Sequence, residues 1–172
     1  VNLTGARTAE ERVALLVAPV APVAPILLPG SLVDVGSGNG SPGLVLGLLR
    51  PDLRVALLEP RQKRWAFLRE AARAAGRPDL QVLRLRHDQY AGPPATNVTV
   101  RALRLGLAEL RGLLTPGGRV VVLGAPLPPA PGFRVESHGE GPSMFHVAQS
   151  TEERAADVSR ETARPSRSPG GS

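Results

Sequence analysis

The stretch Ser31-Leu32-Val33-Asp34-Val35-Gly36-Ser37-Gly38-Asn39-Gly40-Ser41-Pro42-Gly43 constrains the fold of this chain more than any other. Its β-branched run reads as a buried strand, its glycines as a tight turn, and the following Leu44 to Leu49 as an apolar helix. Such a turn lets the backbone approach a ligand closely, and the helix after it offers unpaired N–H groups in its first turn. The pattern by itself fits a dinucleotide or S-adenosylmethionine. Pro51 and Asp52 then break the helix, and Leu53 to Leu58 reads as a second strand that ends at Glu59. In a βαβ unit an acid at that place can hold ribose hydroxyls, which both ligands carry. Asp34 separates them. A carboxylate two residues before the first glycine opposes a pyrophosphate but tolerates a zwitterionic sulfonium compound. S-adenosylmethionine is therefore the expected cofactor. A small NAD-dependent oxidoreductase is an alternative, against which stands the lack of an evident Tyr-x-x-x-Lys pair or second substrate domain.

The rest of the chain alternates strands with helices. Thr8 and Glu11 have capping-box spacing for a helix running to about Ala18. The Ala-Pro-Val pattern from Val20 to Pro29 predicts an extended segment crossing the surface. Arg61 to Ala75 places Trp65, Leu68, Ala72 and Ala75 at helical spacing, with Trp65 expected in the core, and Gly76-Arg77-Pro78 closes the element. Leu80 to Leu85 reads as a third strand, in which Arg84 indicates an edge or a cleft. Val98 to Val100 reads as a fourth strand with Arg101 at its end. Leu103 to Leu114 reads as an amphipathic helix stopped by Thr115-Pro116-Gly117-Gly118, and Arg119 to Leu123 as a fifth strand. Phe133 to Ser137 and Ser143 to Gln149, around Gly139-Glu140-Gly141, predict a closing antiparallel hairpin. The expected fold class is α/β: a Rossmann-like, mostly parallel, doubly wound sheet with a C-terminal antiparallel hairpin, as in the methyltransferase variant of that plan. Residues 1–30 would be an N-terminal helix and Pro-rich connector, 31–150 the cofactor-binding domain, and 151–172 a disordered tail.

Composition narrows the partners. The net charge of +6 rests on arginine, Lys63 being the only lysine, and points to an anionic partner such as RNA. Aromatic residues make up 3%, which argues against recognition of single strands on stacked rings. The absence of cysteine excludes disulfides, cysteine zinc sites and thiol nucleophiles. His138 and His146 have no third partner at metal-ligand spacing and read as structural, so no metal is expected. The apolar region Val13 to Leu28 is cut by Pro19, Pro22 and Pro25, and no basic leader with a cleavage site precedes it. No membrane association and a cytoplasmic address are the expectation, with a monomer as the oligomeric state.

Taken together, Asn2-Leu3-Thr4, the loop Asp34 to Gly43, Arg50-Pro51-Asp52, Leu57-Leu58-Glu59, Lys63-Arg64-Trp65-Ala66-Phe67-Leu68-Arg69, Arg101-Ala102 and Pro116-Gly117-Gly118 resemble the bacterial small-subunit (16S) ribosomal RNA guanine-N7 methyltransferases, the glucose-inhibited division protein B family. The resemblance covers about residues 2 to 125. It implies that Gly36 and Ser41 line the methionine and ribose side of S-adenosylmethionine, that Gly38 and Gly40 also belong to the cofactor site, and that Glu59 takes the ribose hydroxyls. It also implies that His87 and Asp88 flank the adenine and that Arg101 stands beside the cofactor and the guanine pocket. The implied partner is 16S ribosomal RNA or the small ribosomal subunit.

Guanine N7 carries an unprotonated lone pair, so no general base is required and no catalytic residue is assigned. Positioning would supply the rate. The chain departs from the family pattern at Ser41, Thr96 and Gly124-Ala125, and the Ala-Pro-Val run stands where His-x-x-Asp-Ser is expected. A catalytically degenerate cofactor- or RNA-binding relic is the reading those departures would support. Arg61, Lys63, Arg64 and Arg69 fit either a solvated helix face or contacts to RNA phosphate.

Overall fold

The computed structural model describes residues 7–151. The expected tail therefore lies outside the described residues, apart from Thr151, whose N–H bonds to the Gly132 carbonyl. Seven strands form one sheet: β1 (Ser31–Val35), β2 (Arg54–Leu58), β3 (Gln81–Leu83), β4 (Ala95–Arg101), β5 (Leu114–Leu123), β6 (Phe133–His138) and β7 (Phe145–Ser150), in the order β3-β2-β1-β4-β5-β7-β6. β1 to β5 pair in parallel, whereas β7 runs antiparallel to both β5 and β6. The predicted doubly wound sheet with its closing hairpin is what the chain forms. β3 is an edge strand, which explains how Arg84 is accommodated beside it.

The side-chain period of two divides the sheet into two apolar layers. Leu32, Val55, Leu57, Val121 and Val147 face α2 (Gly43–Leu49) and α3 (Gln62–Ala74), which contribute Leu44, Leu46, Leu68 and Ala72. Val33, Val35, Leu58, Val98, Val100, Val120 and Val122 face the other way, under Leu107, Leu110 and Leu113. α3 ends as its Gly76 predicts: Gly76, at φ +72°, and Arg77 donate their N–H groups to the Arg73 and Ala72 carbonyls, closing a Schellman motif.

The Pro-rich segment corrects the sequence reading. Instead of crossing the surface extended, Ala21–Ile26 forms a 3-10 helix, and Val20, Val23, Ala24 and Leu27 are buried in the first apolar layer. Their spacing is that of a helical face, and proline's fixed φ suits a short helix near its start. Each large side chain buried this way stabilises the fold by roughly 1.5–3 kcal/mol. The free carbonyls of the segment are met by distant side chains: Arg50 Nη1 donates to Ala24 O (2.9 Å) and Leu27 O (3.0 Å), Arg119 to Ile26 O, and Asn97 Nδ2 to Leu28 O (2.8 Å).

One smaller expectation is refined and two are corrected. The Thr8–Glu11 capping box does start α1 (Ala9–Arg12), but the helix continues to Val17 in π register. The helix expected from Leu103 is confined to α4 (Leu107–Leu110) and a 3-10 turn, Arg111–Leu113, because Ala102 takes a positive φ of +56° and turns the chain, while Leu114 already belongs to β5. On α3, Ala75 is exposed and Trp65 only half-buried, its Nε1–H bonded to Val82 O at 3.0 Å on the edge strand.

Candidate cofactor site

The carboxyl ends of β1, β2 and β4 open on one side of the sheet, where the strand order reverses between β1 and β4. A doubly wound sheet leaves its ligand crevice there. The crevice has two halves. One, of about 280 Å³, is walled mainly by Leu58, Leu85, Leu103 and Leu105, with Glu59 and His87 also on its lining. The other, of about 250 Å³, is lined by Ser37, Asn39, Ser41, Arg64 and Arg101 with the loop backbone of Gly36 and Gly38. Gly36 and Arg64 belong to both halves, so an apolar slot and a polar one are continuous. Gly36 stands at φ +71°, and a Cβ there would come within 2.5 Å of Leu103 Cδ1.

Glu59 is buried at the end of β2. Its Oε2 accepts the Gly38 N–H (3.0 Å) and its Oε1 the Arg61 N–H (2.8 Å), which fixes both oxygens at the junction of the two halves. The loop commits most of its own donors. Gly36 and Ser37 N–H go to Leu58 O, Gly38 to Glu59, Gly40 to Ser37 O and Ser41 to Asn39 Oδ1. α2 is committed as well, since Leu44 and Val45 donate to Gly40 O and Leu46 to Pro42 O. The expected set of free helix amides is thus absent from this turn. A pyrophosphate would find few donors here, whereas a ligand needing a carboxylate, an apolar slot and nearby guanidinium groups is served.

Asp34 was singled out in the sequence for its charge, but its surroundings come from strands far apart in the chain. It is fully buried, and its Oδ1 accepts the Thr99 hydroxyl (2.6 Å) from the neighbouring strand β4. Oδ2 has no hydrogen-bond partner. Burial pushes the carboxyl pKa up to about 6, while Thr99, Ser37, the Gly43 N–H and the charge of Arg101 pull it partway back. The folded state thus holds this proton where the unfolded chain has lost it, so Asp34 costs stability as pH rises from about 4 to about 6. Above that window the cost is constant, of the order of 3 kcal/mol at pH 7. Asp34→Asn is expected to flatten this component: subtracting its stability–pH curve from that of the parent chain, both from urea unfolding, should leave a fall between pH 4 and 6. Parallel curves would contradict the assignment.

Arg101 and Ser41 form a hub. Arg101 Nη1 donates to Ser41 Oγ (2.6 Å) and Nη2 to Leu15 O (3.2 Å), while Ser41 Oγ donates to Leu16 O (2.8 Å). The N-terminal helical turn is thereby fastened over the glycine loop. Of the other residues named from the sequence, Gly40 packs against Leu44 and Leu68 and does not line the crevice. His87 lines the apolar half; Asp88 does not, and pairs with Arg86 at 3.2 Å. Arg64, placed by sequence on a helix face, reaches both halves, and Ser37, Asn39, Leu103 and Leu105 were not anticipated. The departure at Thr96 lies at the opposite end of β4, about 16 Å along the strand from Arg101, and there its hydroxyl donates to Ser31 O. Among the described residues no group of three or more His, Asp or Glu could hold a metal, and no helix is long and apolar enough to cross a membrane.

Residues 1–125 match the family described as GidB, rRNA small subunit methyltransferase G. The chain is 40% identical over 105 residues to the ribosomal RNA small subunit methyltransferase G of Leifsonia xyli subsp. xyli, covering 59% of this chain and 50% of the relative. It is 39% identical over 126 residues to that of Halorhodospira halophila, covering 71% and 60%. The chain therefore spans about half the length of the curated relatives it matches. Its fold is similar to the crystal structure of a SAM-dependent methyltransferase from Aquifex aeolicus, with a TM-score of 0.59 at 15% identity over 81% of this chain and 91% of that one.

Proposed function

The chain belongs to the rRNA small subunit methyltransferase G family, and from that premise we propose that it binds S-adenosylmethionine in the crevice and methylates guanine N7 of small-subunit ribosomal RNA. The observation that carries the reading is the pairing of a buried, backbone-anchored Glu59 with an apolar slot on one side and Arg64 and Arg101 on the other. Glu59 would accept the ribose hydroxyls, and Leu58, Leu85, Leu103, Leu105 and the backbone at Arg86-His87 would enclose the adenine. Gly36, Gly38 and Ser41, with Ser37 and Asn39, would border the amino-acid end, whose carboxylate suits the two guanidinium groups. Gly40 would act by shaping the loop, and Asp88 by holding Arg86.

When bound, S-adenosylmethionine supplies an electrophilic methyl group on a sulfonium. The chain's own part is orientation and exclusion of water. Guanine N7 brings a free lone pair, so the site needs no group to remove a proton. That suits a fold in which Asp34, its pKa raised by burial, is sealed beneath the loop and bonded to Thr99. The relic reading loses one of its supports, because Thr96 is remote from the crevice, and the oxidoreductase reading lacks the phosphate donors it needs.

Incubation with methyl-labelled S-adenosylmethionine and small subunits lacking the modification is expected to place label in 7-methylguanosine after nuclease digestion. Label on another base, or none in RNA, would contradict the proposal.

A further inference from the structure

A groove outside the cofactor crevice runs between α3 and the edge strand β3. Arg69 and Arg73 wall it on the helix and Leu80 and Val82 on the strand side, and the same two arginines border a second depression along the helix beside Trp65. Arg61, Trp65, Arg69 and Arg73 recur every four residues, so they form one ridge that rises about 6 Å per step. That ridge starts at the crevice, which Arg61 lines.

Two guanidinium groups are held on the Trp65 ring. The Arg69 carbon lies 4.9 Å from the ring centroid and that of Arg84 6.0 Å. The ring itself is immobilised by its Nε1–H bond to Val82 O. Among the described residues neither Arg69 nor Arg84 has a carboxylate or hydrogen-bond partner, in contrast to Arg73 with Glu70 and Arg77 with Asp79. Stacking on an indole occupies the face of a guanidinium and leaves its N–H edge free for a bidentate acceptor. Two such edges, one from the helix and one from the residue just past β3, meet on the Trp65 ring, one helical turn from Arg61 at the crevice.

We propose that Trp65, Arg69 and Arg84 form a phosphate clamp that holds the RNA substrate's backbone along α3 while the target base is at the crevice. The proposal rests on the reading of the chain as an RNA methyltransferase. The occupant is RNA rather than an acidic protein surface because phosphate oxygens match two separate, preset guanidinium forks, and because the ridge is continuous with the crevice where a base must be presented. Trp65 serves here as a positioning residue, holding charges in place instead of stacking a base.

The test is fluorescence anisotropy with a labelled RNA hairpin across a salt series, with polyglutamate as a second probe and S-adenosylhomocysteine titrations alongside. Arg69→Gln combined with Arg84→Gln should weaken RNA binding about tenfold and reduce the slope of log K against log salt by about two, with homocysteine-compound affinity unchanged. Trp65→Leu keeps both charges, so affinity should fall several-fold, and Trp65→Phe, which keeps a ring, should restore most of it. An unchanged RNA affinity and slope in the double variant would overturn the clamp, as would polyglutamate binding that matches RNA and depends on the same arginines. Loss of S-adenosylhomocysteine binding in the parent chain would instead count against the cofactor reading, which keeps the two failures distinct.

Discussion

Replacing Glu59 by alanine is expected to weaken S-adenosylhomocysteine binding by about a hundredfold. The carboxylate is buried, held by the Gly38 and Arg61 N–H groups, and positioned between the apolar and polar halves of the crevice. A hydrogen bond to a charged group contributes about 1.5–3 kcal/mol, so losing the proposed acceptor of two ribose hydroxyls would cost about 3 kcal/mol or more. The substitution also leaves the buried Gly38 N–H without its acceptor, which should lower stability by about 1–3 kcal/mol. Glu59→Gln retains one strong acceptor and the shape of the side chain, and should lose less. Calorimetric titration of both variants, with their melting temperatures measured in parallel, separates lost binding from lost folding. Equal affinity for parent and Glu59→Ala would remove Glu59 from the site.

The largest effect on stability is expected from Gly43→Ala. A Cβ at this position would lie 2.5 Å from Asp34 Cβ, Asp34 Oδ2 and Leu57 Cδ2. Asp34 and Leu57 are both buried, and they are neighbours on β1 and β2, so no flexible end can move aside. Overpacking of this kind costs about 3 kcal/mol, equivalent to a fall in melting temperature of roughly 10 °C for a chain of this size. Gly112→Ala is the matched control, since nothing lies within 4 Å of the added carbon. Similar melting temperatures for the two variants would show that α2 can lift away from β1, contrary to the packing described.

The same pair of positions shows what could be read from the sequence. The glycine loop, the alternation of strands and helices, and the hairpin at the end are local patterns, and they point to a parallel sheet with an antiparallel end, though not to its strand order. Asp34 was also visible, but Thr99, sixty-five residues later, was not, and without it the carboxyl's burial could not be inferred. The Pro-rich segment failed for a related reason. Its helical spacing, Val20, Val23, Ala24 and Leu27, was present in the sequence and was outweighed by the prolines; the guanidinium and amide groups of Arg50, Arg119 and Asn97 that satisfy its carbonyls lie far along the chain. Leu103 and Leu105 read as the start of a helix running to Leu114. The turn at Ala102 instead lays them against the crevice. Arg64 belongs to α3 as expected, but only the fold brings that helix beside the glycine loop, so its reach into both halves had no local signal.

A crevice built for S-adenosylmethionine should discriminate its product from a dinucleotide, which calorimetric titration of the parent chain with S-adenosylhomocysteine, and separately with NAD, reads out. The expected result is a dissociation constant in the micromolar range for S-adenosylhomocysteine and no measurable heat with NAD. Binding of NAD in preference, or no binding of S-adenosylhomocysteine by the folded chain, would contradict it.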